Sequence, residues 1–212
     1  MIGQSPRRKE DERLITGHGR FIDDIVRPGL VHLALVRSTH ARARINGFDA
    51  TAARTLPGVS VFVADDLPEL ADPLPAAGAD PSNPYVTLDV PRPQRPLARG
   101  EVRYVGEPIA AVVAPDPYVA ADAAEAVRIE YEPRPAVVDA EAAMSAEAPA
   151  VHDGAGNVVG RAGTVVGDVE RAFALADVVV EDHPAHGRVS SMAMETRGVC
   201  AEFDPATRSV TV

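Results

Sequence analysis

The hydrophobic pattern is clearest between Val102 and Ala114. Val102-Arg103-Tyr104-Val105 reads as a first strand, Gly106-Glu107-Pro108 as a bend, and Ile109-Ala110-Ala111-Val112-Val113-Ala114 as a second strand. The second run is continuously apolar, as in a strand covered on both faces. Asp116-Pro117 then predicts a helix start, a capping carboxylate followed by proline in the first turn. The helix runs through the alanines to Ala126. Val127 to Glu132 alternates apolar and polar residues and predicts a half-buried strand, ended by Pro133 and Pro135. If the strands flanking that helix pair in parallel, the crossover is right-handed.

The earlier chain follows the same grammar. Met1 to Arg13 reads as a mobile arm, and Gly17-His18-Gly19-Arg20-Phe21 as a turn-rich entry. Leu30 to Val36, apolar but for His32, predicts a buried strand, and Arg44 to Phe48 a partner strand. Asp49 can cap a short helix through Leu56, which Pro57-Gly58 ends. Val59 to Ala64 predicts another strand. Pro68 to Pro96 is proline-rich and reads as a long surface excursion with one short strand at Tyr85 to Val90. Val137 to Ala150 suggests a short helix merging into a linker, and the glycines from His152 to Gly160 a hinge.

The last segment changes character. Asp168 can cap a helix whose Val169, Ala172, Phe173 and Ala176 follow i, i+3, i+4, i+7 spacing. Asp177 to Asp182 and Val199 to Phe203 predict strands, with a turn at Asp204-Pro205-Ala206-Thr207 between the latter and a strand from Ser209. The chain stops inside that strand, which suggests part of a larger protein.

Composition narrows the function classes. Aromatic residues make up only 4% and tryptophan is absent, so the core must be built from Ala, Val, Leu and Ile. The net charge of -10 argues against nucleic acid, because phosphate binding needs clustered Lys and Arg. The basic cluster Arg7-Arg8-Lys9 is followed at once by Glu10-Asp11-Glu12. A single cysteine, Cys200, excludes an internal disulfide, a cysteine-rich zinc site and an iron–sulfur cluster held by this chain alone. No signal-peptide pattern and no span-length apolar run is present, so a cytoplasmic protein without membrane partners is expected.

Candidate chemistry is sparse. There is no GxSxG, HExxH, Walker A or CxxC motif. Asp23-Asp24 reads better as a solvated turn than as a metal site, and His32 as a strand histidine. His183 and His186 lack an evident third ligand. Cys200 sits among Val199, Ala201 and Phe203 and reads as a small core residue. Glu195 and Arg197 share one face of a presumed strand, where they form an ion pair or shape a cleft. Glu107 is a carboxylate at a bend, read as architecture rather than as a catalytic base.

Seven landmarks, in order, carry a resemblance. They are Gly17-His18-Gly19-Arg20-Phe21-Ile22-Asp23-Asp24; Val36-Arg37-Ser38-Thr39-His40-Ala41-Arg42-Ala43-Arg44-Ile45; Leu56-Pro57-Gly58-Val59 with Ala64-Asp65-Asp66-Leu67-Pro68; Val102-Arg103-Tyr104-Val105-Gly106-Glu107-Pro108; Tyr131-Glu132-Pro133-Arg134-Pro135-Ala136-Val137; Gly167-Asp168-Val169 with Ala172-Phe173; and Met194-Glu195-Thr196-Arg197-Gly198. Together the chain resembles the N-terminal part of the molybdopterin-binding large subunit of the xanthine dehydrogenase/aldehyde oxidase family, which includes aerobic carbon monoxide dehydrogenase. Thr196 stands where the family pattern has proline.

The resemblance implies an α+β fold: an arm (1–15), an α/β hammerhead domain (16–142), a linker (143–160) and an incomplete start of the molybdopterin-binding domain (161–212). It implies a molybdenum hydroxylase-type oxidoreductase acting on aldehydes, N-heterocycles or CO. In the complete family enzyme, molybdopterin with molybdenum carries the chemistry. The family's cofactor-binding and catalytic motifs lie beyond Val212, so no catalytic, cofactor-binding or metal-ligating residue is assigned here and no cofactor is expected for this chain alone. Implied partners are a chain carrying the remaining molybdopterin-binding domain, together with iron–sulfur and FAD subunits. The alternative is a non-catalytic binding or assembly module with a hammerhead fold.

Overall fold

The computed structural model describes residues 2–70, 86–88, 95–152, 156–187, 189–193 and 195–212. In chain order the elements are helix α1 (Asp11–Ile15), strands β1 (His32–Arg37) and β2 (Ala43–Asp49), helix α2 (Thr51–Arg54), strands β3 (Ser60–Val63), β4 (Val86–Leu88), β5 (Glu101–Val102) and β6 (Pro108–Ala114), helix α3 (Pro117–Ala126), strand β7 (Arg128–Pro133), helix α4 (Ala140–Ala143), strand β8 (Gly160–Ala162), helix α5 (Val169–Leu175), and strands β9 (Glu202–Asp204) and β10 (Ser209–Thr211). They fall into two compact units, one of residues 31–179 and one of residues 1–30 with 180–212.

The larger unit is built on two antiparallel three-stranded sheets, ordered β1-β6-β3 and β5-β2-β7. β6 is the central strand of the first sheet because its residues are small and apolar on both sides of the pleat. Successive side chains point to opposite faces. Ala110 and Val112 therefore enter one core with Ala50, Ala53, Val61 and Ala123, while Ile109 enters a second with Ala43, Ala98 and Val102. Alanines on α3 let that helix approach the first sheet closely, with Ala120 and Ala123 buried.

Local chemistry sets the helix starts. Asp116 accepts from the amides of Tyr118 and Val119 at 2.8 and 3.2 Å, and Pro117 occupies the first turn of α3. Asp139 caps α4 through Ala142 and Asp168 caps α5 through Arg171, at 2.7 and 3.0 Å. Asp49 also accepts an amide, that of Thr51 at 2.8 Å, but from one position before the N-cap of α2. Hydrogen bonding from Thr51, its side chain first and its amide second, holds the Asp49 carboxyl below its ordinary range. Gly58, at φ +74°, ends the turn after α2 in the left-handed region that side chains disfavour.

Several expectations need correction. β2 does not pair with β1; it lies in the other sheet, between β5 and β7. The helix α3 therefore joins strands of different sheets, β6 and β7, and no parallel crossover forms. The strand expected over Val102–Val105 is only two residues long, because Tyr104 and Gly106 are committed to a turn. β1 is a half-buried edge strand, not a fully buried one. The arm carries the exposed helix α1, with Asp11 and Glu12 in its first turn and Arg13 in its last, as the helix dipole favours. No strand forms at 177–182. The strand expected over Val199–Phe203 begins only at Glu202, and β9 and β10 form a hairpin around a turn in which Asp204 accepts from Ala206 and Thr207.

Most of the proline-rich excursion lies outside the described residues. Its described strand, β4, pairs with β8, which begins at Gly160, the last residue of the expected hinge. Gly154 in that hinge and Met194 of the last landmark also lie outside them. No described helix is long and apolar enough to cross a membrane.

Candidate functional site

Polar groups converge where two loops cross between the sheets of the larger unit. One loop, 38–42, leads from β1 to β2. The other, 103–107, leads from β5 to β6. Their backbones bind each other twice: the Ser38 amide donates to the Glu107 carbonyl at 2.9 Å, and the Gly106 amide to the Ser38 carbonyl at 2.8 Å. The Arg37 guanidinium donates to the Gly106 carbonyl at 2.9 Å. Gly106 sits at φ +90°, so the tight turn depends on a residue without Cβ.

Glu107 faces its own turn. Its carboxylate accepts the Arg103 amide at 2.5 Å. Burial raises its pKa above the ordinary range, while the bonds from the Arg103 and Tyr104 segment act in the opposite direction. One of its oxygens thus holds the backbone of its own turn. Burial, followed by the charge of Glu107, also raises the pKa of Tyr104.

Beside this turn lies a buried ion pair. Arg42 Nε donates to Glu101 Oε1 at 2.9 Å, with the two side chains only 9% and 12% exposed. Arg42 Nη1 also reaches the Pro135 carbonyl at 3.3 Å, and Arg103 approaches the other Glu101 oxygen at 3.7 Å. Buried charges are tolerated when they are paired and hydrogen-bonded in this way. Sequence reasoning included Ser38 and Arg42 only as members of a family landmark, with no role assigned, and did not single out Glu101. No local spacing rule joins residues 59 apart; the antiparallel pairing of β2 with β5, Ala43 opposite Val102 and Arg44 opposite Glu101, brings Arg42 and Glu101 together. The imidazole of His40 packs on Tyr131 with ring centroids 4.4 Å apart. An open groove of about 370 Å³ runs past Tyr131 and Thr39, floored by Leu35, Val127 and Ile129.

The other candidates stay apart. Asp24 accepts the Phe21 amide at 2.9 Å in a short exposed turn. His32 lies on β1, paired with Ala114. His183 lies 3.3 Å from Glu181, both exposed, and among the described residues no group of three or more His, Cys, Asp and Glu gathers as a metal site would need. Cys200 is half-buried and lies outside β9, between the exposed Val199 and the strand. Glu195 and Arg197 form no ion pair; Glu195 accepts the Ile22 amide at 2.9 Å instead, because no strand forms there to align the two.

Residues 16–135 match the a/b hammerhead domain of aldehyde oxidase and xanthine dehydrogenase, more than half of the chain. The chain belongs to that family. Residues 151–212 match a molybdopterin cofactor-binding domain. Among similar proteins, a 6-hydroxypseudooxynicotine dehydrogenase complex subunit gamma from Paenarthrobacter nicotinovorans is 40% identical over 206 residues, 97% of this chain and 26% of that protein. The carbon monoxide dehydrogenase large chain of Hydrogenophaga pseudoflava is 34% identical over 229 aligned positions, 100% of this chain and 27% of that one. The crystal structure of quinoline 2-oxidoreductase from Pseudomonas putida 86 aligns with a TM-score of 0.75 and 38% identity, covering 98% of this chain and 26% of its own. The chain thus spans about a quarter of the length of each of these three proteins.

The described residues do not form a cradle for the family's molybdopterin. From Val159 to Val199 every one of them is exposed, so no buried donors converge on a pterin-sized space. The buried polar residues lie instead in the hammerhead loops, at Ser38 and Arg42, whose hydrogen bonds are used internally, and beside them the buried Nε of Arg103 has no hydrogen-bond partner among the described residues.

Proposed function

We propose that the chain is the N-terminal portion of a molybdenum hydroxylase-type oxidoreductase, and that it neither holds molybdopterin nor turns over by itself. The observation that carries this reading is the ordered match to a hammerhead domain and then a cofactor-binding domain, at about a quarter of the relatives' length. The substrate class is an aldehyde, an N-heterocycle or CO, and the name of quinoline 2-oxidoreductase favours the N-heterocycle. We place the arm at 1–15, the hammerhead domain at 16–142, the linker at 143–160 and the start of the cofactor-binding domain at 161–212. The partners are a polypeptide carrying the remaining molybdopterin-binding part, with iron–sulfur and FAD subunits, in the cytoplasm. The subunit gamma and large chain of the relatives' names support an assembly of this kind.

The hammerhead's role is to present a rigid, prefolded surface, while the cofactor, bound elsewhere, supplies the redox chemistry. Metal analysis of the purified 212-residue chain, alone and co-expressed with the remaining part of a relative, tests the reading. Molybdenum is expected only in the assembled form, together with substrate-dependent reduction of an electron acceptor. Stoichiometric molybdenum on the isolated chain overturns the reading. A complex without molybdenum favours the assembly-module alternative.

A further inference from the structure

The stretch that follows β7 has no core of its own. From Ala136 to Val151 no residue is buried. Val137, Val138, Ala142, Ala148 and Pro149 surround an open hollow of about 390 Å³. A loop without an apolar interior needs hydrogen bonds to offset the entropy of ordering it. Its backbone bonds are local: the amides of Met144, Ser145 and Ala148 donate to the carbonyls of Glu141, Ala142 and Ser145. Such bonds shape turns and do not tie the ends of the loop together. Asn157 does. Its Nδ2 donates to the Ala143 carbonyl at 3.3 Å and to the Pro149 carbonyl at 3.1 Å, and its Oδ1 accepts the Val151 amide at 3.1 Å. These bonds reach back over 14, 8 and 6 residues. Both amide hydrogens and the side-chain carbonyl are engaged, and of the short side chains only Asn carries that set. Ala143, Val151 and Asn157 are half-buried, so the bonds are partly sheltered from water.

We propose that Asn157 is a clasp that locks the join between the two matched domains, so that the linker is a closed loop where the glycines predict a hinge. Asn157 lies within residues 151–212, which match the cofactor-binding domain, while Ala143 and Pro149 precede that match. The carboxamide therefore bridges the end of one matched stretch and the start of the next. The glycines of this segment supply freedom, and one side chain withdraws it. A join closed on folding has already lost its conformational entropy, which lowers the ordering cost of any later assembly on this chain.

The test is limited digestion of the 212-residue chain with a glutamyl endopeptidase, each cut followed by mass spectrometry. Glu147 lies exposed within the loop and reports its opening, while Glu130 lies on β7 and reports opening of the sheet. Asn157→Ala removes all three bonds. Asn157→Asp keeps the shape and the acceptor but turns a carboxylate oxygen on two carbonyls. Both variants are expected to be cut after Glu147 at least tenfold faster than the parent, with cutting after Glu130 within twofold. The Val151 amide should exchange with solvent at least tenfold faster in Asn157→Ala. Unchanged cutting after Glu147 in either variant overturns the clasp, as does unchanged exchange at Val151. Equal acceleration at Glu147 and Glu130 overturns it too, because Asn157 then stabilises the whole unit instead of closing one loop.

Discussion

Replacing Arg42 with Met tests whether the loop crossing is held by a buried ion pair. The guanidinium and the Glu101 carboxylate are 2.9 Å apart and nearly sequestered from water. Met preserves much of the stem's packing but removes the charge and the bond to the Pro135 carbonyl. Glu101 is then left with Arg103 at 3.7 Å, a weaker partner. Breaking a buried pair by removing one member costs about 3–5 kcal/mol, and the residual Arg103 contact puts Arg42→Met near the lower end, about 3 kcal/mol. For a unit of this size that lowers the melting temperature by roughly 6–12 °C. Replacing both partners, Arg42→Met with Glu101→Leu, removes the orphaned charge as well. The double variant is expected within about 1 kcal/mol of the parent, since buried pairs and apolar replacements are close in energy. Urea unfolding followed by far-ultraviolet circular dichroism gives all four corners of the cycle. If Arg42→Met costs less than about 1 kcal/mol, or if the double variant is as unstable as the two single losses added, the pair is not the organising contact argued here.

Three further outcomes can be checked on the same protein. Val112→Ala removes two methyl groups from a fully buried site on β6, and urea unfolding should show a loss of about 2 kcal/mol from transfer and cavity terms together. Gly106→Ala places a Cβ at φ +90° and is expected to cost about 1–2 kcal/mol in the same assay, as left-handed backbone does for L-residues. Glu107→Gln keeps an acceptor for the Arg103 amide and removes the titration. Burial raises the Glu107 pKa above its ordinary 4.5, so the native state binds the proton more readily than the unfolded chain. The carboxyl's contribution to stability is therefore full below pH 4.5 and lost as pH rises through the folded value. Parent stability minus that of Glu107→Gln should fall with rising pH across that window; a flat or rising difference refutes the buried-carboxyl account.

What was legible in the sequence were features with local causes. Asp116-Pro117 and Asp168 marked helix starts because a capping carboxylate acts on amides two or three residues away. Gly58 and Gly106 marked turns because positive φ is a single-residue property. The apolar run of β6 announced a central strand. Pairing was not legible. The alternation in Arg44–Phe48 says that one face is buried, but nothing in it distinguishes β1 from β7 as neighbour. The strand expected at 177–182 has the right residue types, yet it lacks a partner among the described residues, and strand propensity alone does not hold an isolated strand. The Arg42–Glu101 pair was invisible for the same reason, since it exists only once β2 has paired with β5. The family landmarks reached further than any periodicity, because they encode loop positions such as Ser38 and Gly106 whose role is set by distant chain.

The crossing of loops 38–42 and 103–107 has a consequence for cooperativity. Each loop joins the same two sheets, and each is bonded to the other, so the hammerhead is stitched at the point where it would otherwise hinge. Neither sheet can swing open without breaking the Ser38–Glu107 and Gly106–Ser38 bonds. Opening of the two sheets is thereby one event. The amides of Ser38 and Gly106 should exchange with solvent only as fast as those in the middle of β6, giving the loops the protection of the strands they connect.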